Sequence, residues 1–118
     1  MANIMIVDYS RILRKILTNT LVEAGHTIVA DAGNGKEALL LLEKIKPDLV
    51  TLDITMPVMD GVEALKNIKE FDPDSKVAMI SAAGQKDKLM EALKCGAELF
   101  ITKPFNEPDV LKSLKSIK

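Results

Sequence analysis

The sequence is poor in aromatic residues and in cysteine. Among 118 residues there are three Phe, one Tyr, no Trp and one Cys. The core must therefore be mainly aliphatic, and an internal disulfide is excluded because it needs two cysteines. A lone thiol agrees with a reducing, cytoplasmic location, which we take as the expectation.

Neither sign of charge predominates, and no apolar run is long. Lys and Arg number 16 against 17 Asp and Glu, so we expect no general affinity for nucleic acid or for a membrane surface. The longest apolar runs, such as residues 4–7 and 38–42, are far shorter than the roughly 20 residues of a membrane span. The length fits one domain over residues 1–118, without an effector domain and acting as a monomer.

Short β-type runs alternate with stretches of helical spacing. The predicted strands cover residues 4–7, 27–30, 49–52, 77–80 and 99–101, each interpreted as buried on both faces. The predicted helices begin after Ser10, near Lys36, near Gly61, near Gln85 and after Pro108. Strict alternation of five strands and five helices predicts an α/β fold with a doubly wound parallel sheet, because parallel neighbours need right-handed helical crossovers.

The helical spacing also predicts which side chains face the core. In the first helix these are Ile12, Leu13, Ile16, Leu17, Thr20 and Leu21. The second helix should run over residues 36–46, since Pro47 stops its repeat. The fourth should cover residues 85–95 with Leu89, Ala92 and Leu93 inward.

Polar side chains follow four of the predicted strands. Asp8 follows the first, Asp53 the third, Ser81 the fourth and Lys103 the fifth. Because ligands of such sheets bind beyond the carboxyl ends of the strands, these side chains should open onto one crevice. Taken singly, Asp8 and Ser81 could be turn formers or helix caps, and Lys103 a solvated lysine. The four together favour a common site.

This combination suits phosphoryl transfer. An aspartate such as Asp53 can attack phosphorus, but the incoming group is anionic, so charge compensation is required. A magnesium ion held by Asp8 and Asp53 would supply it. Lys103 adds a point charge, and Ser81 can donate a hydrogen bond to a phosphoryl oxygen.

At these positions the sequence resembles bacterial response-regulator receiver domains, in particular CheY-like single-domain proteins of two-component chemotaxis systems. The resemblance rests on residues 52–57 (Leu-Asp-Ile-Thr-Met-Pro), Asp60 with Gly61, residues 81–82 and residues 103–105 (Lys-Pro-Phe), and it covers essentially the whole chain. It implies a flavodoxin-like fold with strand order 2-1-3-4-5, for which CheY is a standard example.

The resemblance further implies a role for each site residue. Asp53 would be the phosphoacceptor, Asp8 and the backbone carbonyl of Thr55 would help it hold Mg²⁺, and Ser81 and Lys103 would contact the phosphoryl oxygens. The rim of the site is expected at Tyr9, Met56, Ala82 and Ala83. Thr55 and Ala83 would line the approach of water to the acyl phosphate.

A switch and its partners are implied as well. In the family, phosphorylation draws the hydroxyl at the Ser81 position inward, and the aromatic at the Phe100 position rotates with it. That remodels the face formed by the fourth helix, fifth strand and fifth helix; a core aromatic is the simpler interpretation of Phe100. The implied partners are a histidine kinase as phosphodonor and a downstream protein target, for example in chemotaxis or flagellar control. A cis peptide before Pro104 is also implied.

One position departs from the family pattern. Receivers usually carry two adjacent acidic residues after the first strand, whereas Tyr9 follows Asp8 here. A neutral phenol, with a reference pKa of about 10, is a poor metal ligand. We therefore predict weak Mg²⁺ binding and slow phosphorylation, with Asp8 moving into direct coordination. A phosphorylation-independent interaction module is the alternative.

Residues 33–38 offer a different hypothesis. They match the G-x-G-x-x-A dinucleotide fingerprint between a predicted strand and helix, with Asp53 at a plausible distance. A dinucleotide-binding protein is thus a further alternative, although the chain lacks a substrate domain. A glycine turn leading into a helix is the simpler interpretation.

Overall fold

The computed structural model describes residues 2–56, 59–82, 84–103 and 107–115, in which strands and helices alternate strictly. The strands are β1 (Asn3–Val7), β2 (Thr27–Ala32), β3 (Leu49–Asp53), β4 (Lys76–Ser81) and β5 (Leu99–Thr102). The helices are α1 (Arg11–Glu23), α2 (Gly35–Leu42), α3 (Gly61–Phe71), α4 (Lys86–Lys94) and α5 (Glu107–Lys115). Each predicted strand and helix is therefore present.

The sheet is parallel throughout, with strand order β2-β1-β3-β4-β5. Strand order reverses between β1 and β3, and a crevice is expected beyond their carboxyl ends. The described topology confirms the doubly wound, flavodoxin-like fold. No helix within the described ranges is both long and apolar enough to cross a membrane.

Two apolar layers cover the sheet. One joins α2, α3 and α4 to one face, with Leu42, Leu65 and Ala92 among its buried residues. The other joins α1 and α5 to the opposite face, with Leu21 and Leu114 buried there. Since both faces are covered, the central strands lose contact with water on each side.

Complete burial is confined to the middle of the sheet. β3 is buried at every position, and β1 and β4 are buried beyond their first residues. The prediction of burial on both faces is wrong for β2 and β5, which are largely intermediate or exposed. These are the edge strands, so each lacks a neighbouring strand on one side and is covered by fewer helices.

Helix α1 begins and ends where the sequence predicts, but its buried face is narrower than predicted. Ser10 Oγ accepts from the Leu13 N–H at 3.2 Å, and Gly25 ends the helix at φ 97°. Ile12 and Ile16, predicted to face the core, are 73% and 45% exposed. The helix packs through Leu17, Thr20 and Leu21, and this narrower stripe leaves the other flank in solvent.

Two further helix predictions need correction. α2 ends at Leu42, before Pro47 can act, because the N–H groups of Lys44 and Ile45 both donate to the Leu41 carbonyl in a closing turn. Leu93 of α4, predicted to face the core, is 36% exposed. Ala92 is the buried residue of this helix, so α4 lies shallowly on the sheet.

Candidate functional site

The four predicted site residues lie at the carboxyl ends of adjacent strands. Asp8 directly follows β1, Asp53 ends β3, Ser81 ends β4 and Lys103 directly follows β5. Strand register brings Asp53 beside Ile80 of β4. The Lys103 N–H donates to the Ser81 carbonyl at 2.6 Å, which fixes the chain after β5 against β4.

An ammonium group lies between two buried carboxylates. Lys103 Nζ is 3.5 Å from Asp53 Oδ1 and 3.6 Å from Asp8 Oδ2. Asp8 and Asp53 are 1% and 5% exposed, so neither charge is well solvated. One cation facing two carboxylates leaves an excess of negative charge in a region of low dielectric.

That excess changes the acidity of Asp53. Burial raises the pKa of its carboxyl above the ordinary value, and the neighbouring Asp8 raises it further. Lys103 and the Thr55 N–H, which donates to Asp53 Oδ1 at 3.3 Å, oppose this increase without cancelling it. The site therefore lacks positive charge relative to what an ionised Asp53 needs.

The hydrogen bonds of Asp8 leave one oxygen available. Its Oδ1 accepts from the Ser10 N–H at 2.8 Å, whereas the buried Oδ2 has no hydrogen-bond partner among the described residues. A buried carboxylate oxygen without a donor suits a hard cation such as Mg²⁺. No cluster of three or more His, Cys, Asp or Glu exists in the described part of the chain.

Arg14, which is not among the predicted site residues, holds the loop that carries Asp8 in place. Its Nη1 donates to the Asp8 carbonyl at 2.6 Å and lies 3.4 Å from the Tyr9 carbonyl. Its Nε is 3.7 Å from Asp31 Oδ2 on β2. A lysine could not make this set of contacts, because its single ammonium group lacks the planar, forked N–H donors of a guanidinium. Helical periodicity does not indicate such a contact, because the contact depends on the distance between α1 and two strands.

Gly61 allows α3 to begin directly against the end of β3. A Cβ at this residue would lie 2.3 Å from the Asp53 carbonyl oxygen and 2.5 Å from Ile54 Cα. Its N–H donates to the Ile54 carbonyl at 2.7 Å, and Asp60 caps the helix by accepting from the Glu63 N–H at 2.9 Å. The Asp60-Gly61 pair therefore has a physical basis: a cap followed by a close backbone approach.

Gln85 is another residue that sequence reasoning placed only as a helix start. Its Oε1 accepts from the Ala82 N–H at 2.7 Å, and its Nε2 donates to Thr55 Oγ1. The carboxamide thereby joins the loop after β4 to the loop after β3. A long-range contact of this kind leaves no trace in local sequence spacing.

The rim and the proposed switch residue are mostly exposed. Tyr9 is 67% exposed, and Ala82 and Thr55 are also exposed, whereas Met56 is buried. Phe100 is 44% exposed, so the simpler interpretation of it as a core aromatic is wrong. β5 is an edge strand, and Phe100 points out of it into solvent. The predictions for Pro57, Ala83 and Pro104 lie outside the described residues.

The structure gives the dinucleotide hypothesis no support. A Cβ on Gly35 would lie 2.9 Å from both Met59 Sδ and Ala64 Cβ, so side chains already cover the start of α2. Asn34 Oδ1 accepts a hydrogen bond from the Glu37 N–H at 2.8 Å. A pyrophosphate at the start of α2 would need backbone N–H groups of this kind, and this one is already occupied. β1 also separates β2 from β3, so Asp53 is not on the strand next to this loop.

Comparison with known proteins agrees with this fold. The family model described as response regulator receiver domain matches residues 4–115. Chemotaxis protein CheY of Thermotoga maritima is 40% identical over 114 residues, covering 97% of this chain and 95% of that protein. Chemotaxis protein CheY of Listeria monocytogenes is 45% identical over 115 residues, covering 98% and 97% respectively.

A solved structure extends the comparison. A chain of the CheX-CheY-BeF3-Mg²⁺ complex from Borrelia burgdorferi matches with a TM-score of 0.93 at 41% identity, covering 98% of this chain and 87% of that one. The family match, the relatives and the shared strand order all lead to one conclusion. This chain belongs to the response-regulator receiver-domain family, a family of signalling domains rather than conventional enzymes.

Proposed function

We propose that this protein accepts a phosphoryl group on Asp53 and then presents an altered face of α4, β5 and α5 to a protein partner. The observation that carries the proposal is the contact of Lys103 with both Asp53 and Asp8 at the carboxyl edge of the sheet. A buried carboxylate beside a single ammonium group is a nucleophile placed where an anionic group can be received.

The chemistry requires the ionised form of Asp53. One carboxylate oxygen forms a bond to phosphorus while the bond from phosphorus to the donor breaks, and the donor leaves with that electron pair. Lys103 offsets the charge on the transferred oxygens, and Ser81, at the end of the neighbouring strand, donates a hydrogen bond to one of them. The donor is a histidine kinase, or a small acyl phosphate in its place.

The available oxygens suit Mg²⁺. Asp8, whose Oδ2 lacks a hydrogen-bond donor among the described residues, would hold the ion together with Asp53 and the backbone carbonyl of Thr55. When bound, such an ion supplies positive charge and a template for phosphate oxygens. Tyr9 contributes no carboxylate, so the site holds the ion weakly.

The partner surface is the exposed side of α4 and β5. Met90, Leu93 and Phe100 are 49%, 36% and 44% exposed, and together they give this side an apolar character that a protein partner can cover. Phe100 lies on β5, and β5 pairs with β4, which ends at Ser81. The proposed site is therefore beside this surface. The named relatives are chemotaxis proteins, so a chemotaxis or flagellar target is the first to test.

Tyr9 favours a second candidate function. With one acidic residue after β1 instead of two, the fold could serve as an interaction module that no longer needs phosphorylation. This candidate retains the exposed surface of α4 and β5 and assigns no nucleophilic role to Asp53.

Intact mass after incubation with Mg²⁺ and acetyl phosphate separates the two candidates. We expect one added phosphoryl group on the wild type and none on Asp53→Asn. Asp74→Asn is the matched control, since Asp74 is exposed in the loop before β4, at the opposite end of the sheet, and should be modified like the wild type. The absence of an adduct under every donor and metal condition would favour the phosphorylation-independent module.

A further inference from the structure

We propose that Gln85 is a positioning residue whose carboxamide occupies the Ala82 N–H in the unmodified protein and is displaced when a phosphoryl oxygen on Asp53 takes that N–H. This inference rests on the proposed function. It assigns the link between the site and α4 to one side chain that touches both.

The cap of α4 differs from the caps of α1, α2 and α3. Ser10, Asn34 and Asp60 each accept a hydrogen bond from an N–H in the first turn of their own helix. Gln85, at the same position of α4, makes no side-chain cap hydrogen bond. Its carboxamide is directed away from the helix, toward the two loops at the site.

The orientation of this carboxamide follows from its partners. A backbone N–H can only donate, so the atom 2.7 Å from Ala82 N is Oε1. The amino group Nε2 therefore faces Thr55 Oγ1 and donates to it. The side chain is satisfied on both sides by polar groups outside its own helix.

Both partners of Gln85 lie next to the phosphoacceptor. The Thr55 N–H donates to Asp53 Oδ1 at 3.3 Å. Ala82 directly follows Ser81, whose strand pairs Ile80 with Asp53. The carboxamide therefore bridges Thr55, two residues after Asp53, and Ala82, one residue after Ser81. It crosses the side of the crevice nearest α4.

Displacement follows from the relative strength of the two acceptors. A phosphoryl oxygen carries negative charge and accepts a backbone N–H more strongly than a neutral carboxamide does. Once the Ala82 N–H turns to the phosphoryl group, Gln85 loses one of its two anchors. α4 begins at the next residue and packs on the core through Ala92 and the half-buried Leu89, so loss of this anchor acts on the first turn of the helix.

The test compares Gln85→Ala and Gln85→Glu in binding beryllium fluoride with Mg²⁺, the phosphoryl mimic present in the Borrelia complex. Gln85→Ala removes a competitor for the Ala82 N–H, so its affinity should rise about 3- to 10-fold, the range expected for a lost hydrogen bond. Gln85→Glu provides a stronger, anionic competitor, so its affinity should fall below that of the wild type. Lys94→Ala, an exposed truncation in the last turn of the same helix, should stay within about twofold.

Amide hydrogen exchange provides a second readout that needs neither ligand nor metal. Exchange of the Ala82 N–H and of the first turn of α4 should be faster in Gln85→Ala than in the wild type, and unchanged at Ala82 in Lys94→Ala. Equal Ala82 exchange in wild type and Gln85→Ala, or equal affinity for the mimic, would overturn the role of Gln85 while leaving phosphorylation intact. A wild type that binds no mimic and forms no adduct would overturn the proposed function and the displacement with it.

Discussion

Lys103 Nζ lies 3.5 Å from Asp53 Oδ1, although the two residues are 50 positions apart in the chain. Asp53 ends β3 and Lys103 follows β5, and β4 lies between these two strands. The lysine side chain therefore reaches across one strand to the aspartate. The same ammonium group is 3.6 Å from Asp8 Oδ2. This three-residue cluster joins three strand ends into one site, and each prediction below changes its charge or its support.

Replacing Asp53 by asparagine should stabilise the metal-free protein near pH 7. The pKa of Asp53 is raised by burial and by Asp8, so ionising this group is harder in the folded than in the unfolded state. The folded state therefore holds its proton more tightly, and stability falls as pH rises from the ordinary pKa of Asp through the raised folded value. Above that window Asp53→Asn removes the full penalty of ionising this buried carboxyl.

Urea unfolding with a chelator between about pH 3 and 8 measures this effect. The gain in Asp53→Asn should disappear below about pH 4, where the unfolded chain is also protonated at this residue. Asp74→Asn, which changes an exposed carboxylate by the same chemistry, should show no such gain. A variant less stable than the wild type at every pH would contradict the charge excess that we describe.

Replacing Lys103 by glutamine should slow phosphorylation of Asp53. The substitution keeps a polar side chain but removes an ammonium group that contacts both carboxylates. Loss of a single group that stabilises developing charge typically costs about 100-fold or more in rate. Initial rates of adduct formation with acetyl phosphate measure it. Lys112→Gln, on the exposed side of α5, is the control, and equal rates for the two variants would rule out a role for Lys103.

Replacing Tyr9 by aspartate should strengthen Mg²⁺ binding. The new carboxylate follows Asp8, whose Oδ2 lacks a hydrogen-bond donor among the described residues, and a second hard anionic ligand should raise affinity about 10-fold or more. Tyr9→Asn separates this charge effect from simple loss of the phenol and should bind more weakly than Tyr9→Asp. Calorimetric titration with Mg²⁺ gives the constants. Unchanged affinity in Tyr9→Asp would show that this position does not limit metal binding.

Replacing Gly61 by alanine should destabilise the fold at the site. The added Cβ would lie 2.3 Å from the Asp53 carbonyl oxygen, which requires a backbone shift rather than a side-chain rearrangement. We expect a loss of about 3 kcal/mol in the free energy of unfolding. Gly33→Ala is the matched control, because its Cβ would meet only Arg14 Nη1 at 3.4 Å. Similar stability of the two variants would contradict the close approach of α3 to β3.

Much of this architecture could be predicted because it depends on local patterns. The apolar runs predict each strand. Their alternation with stretches of helical spacing predicts a parallel sheet whose carboxyl strand ends meet at one edge. Asp53 and Lys103 were placed together on that basis alone, and the contact between them agrees with it. The cap at Ser10 followed from residue type and position.

The remaining features depend on distances between elements, which local patterns do not contain. Periodicity placed Ile12 on the buried face of α1, but the tilt of that helix on the sheet decides how wide the buried face is, and Ile12 is exposed. Arg14 and Gln85 contact residues of other elements, and nothing in the spacing of their neighbours marks them. The simpler interpretation of Phe100 as a core aromatic fails because the edge position of β5 leaves no local signal.

The position of the acyl phosphate tests the central claim most directly. After incubation with Mg²⁺ and acetyl phosphate, borohydride reduction converts a phosphorylated aspartate to homoserine, which peptide sequencing by tandem mass spectrometry can locate. We predict homoserine at residue 53 alone, and none in a sample that received no phosphodonor. Homoserine at residue 8, phosphate on Ser81, or a chain without modification would contradict Asp53 as the phosphoacceptor.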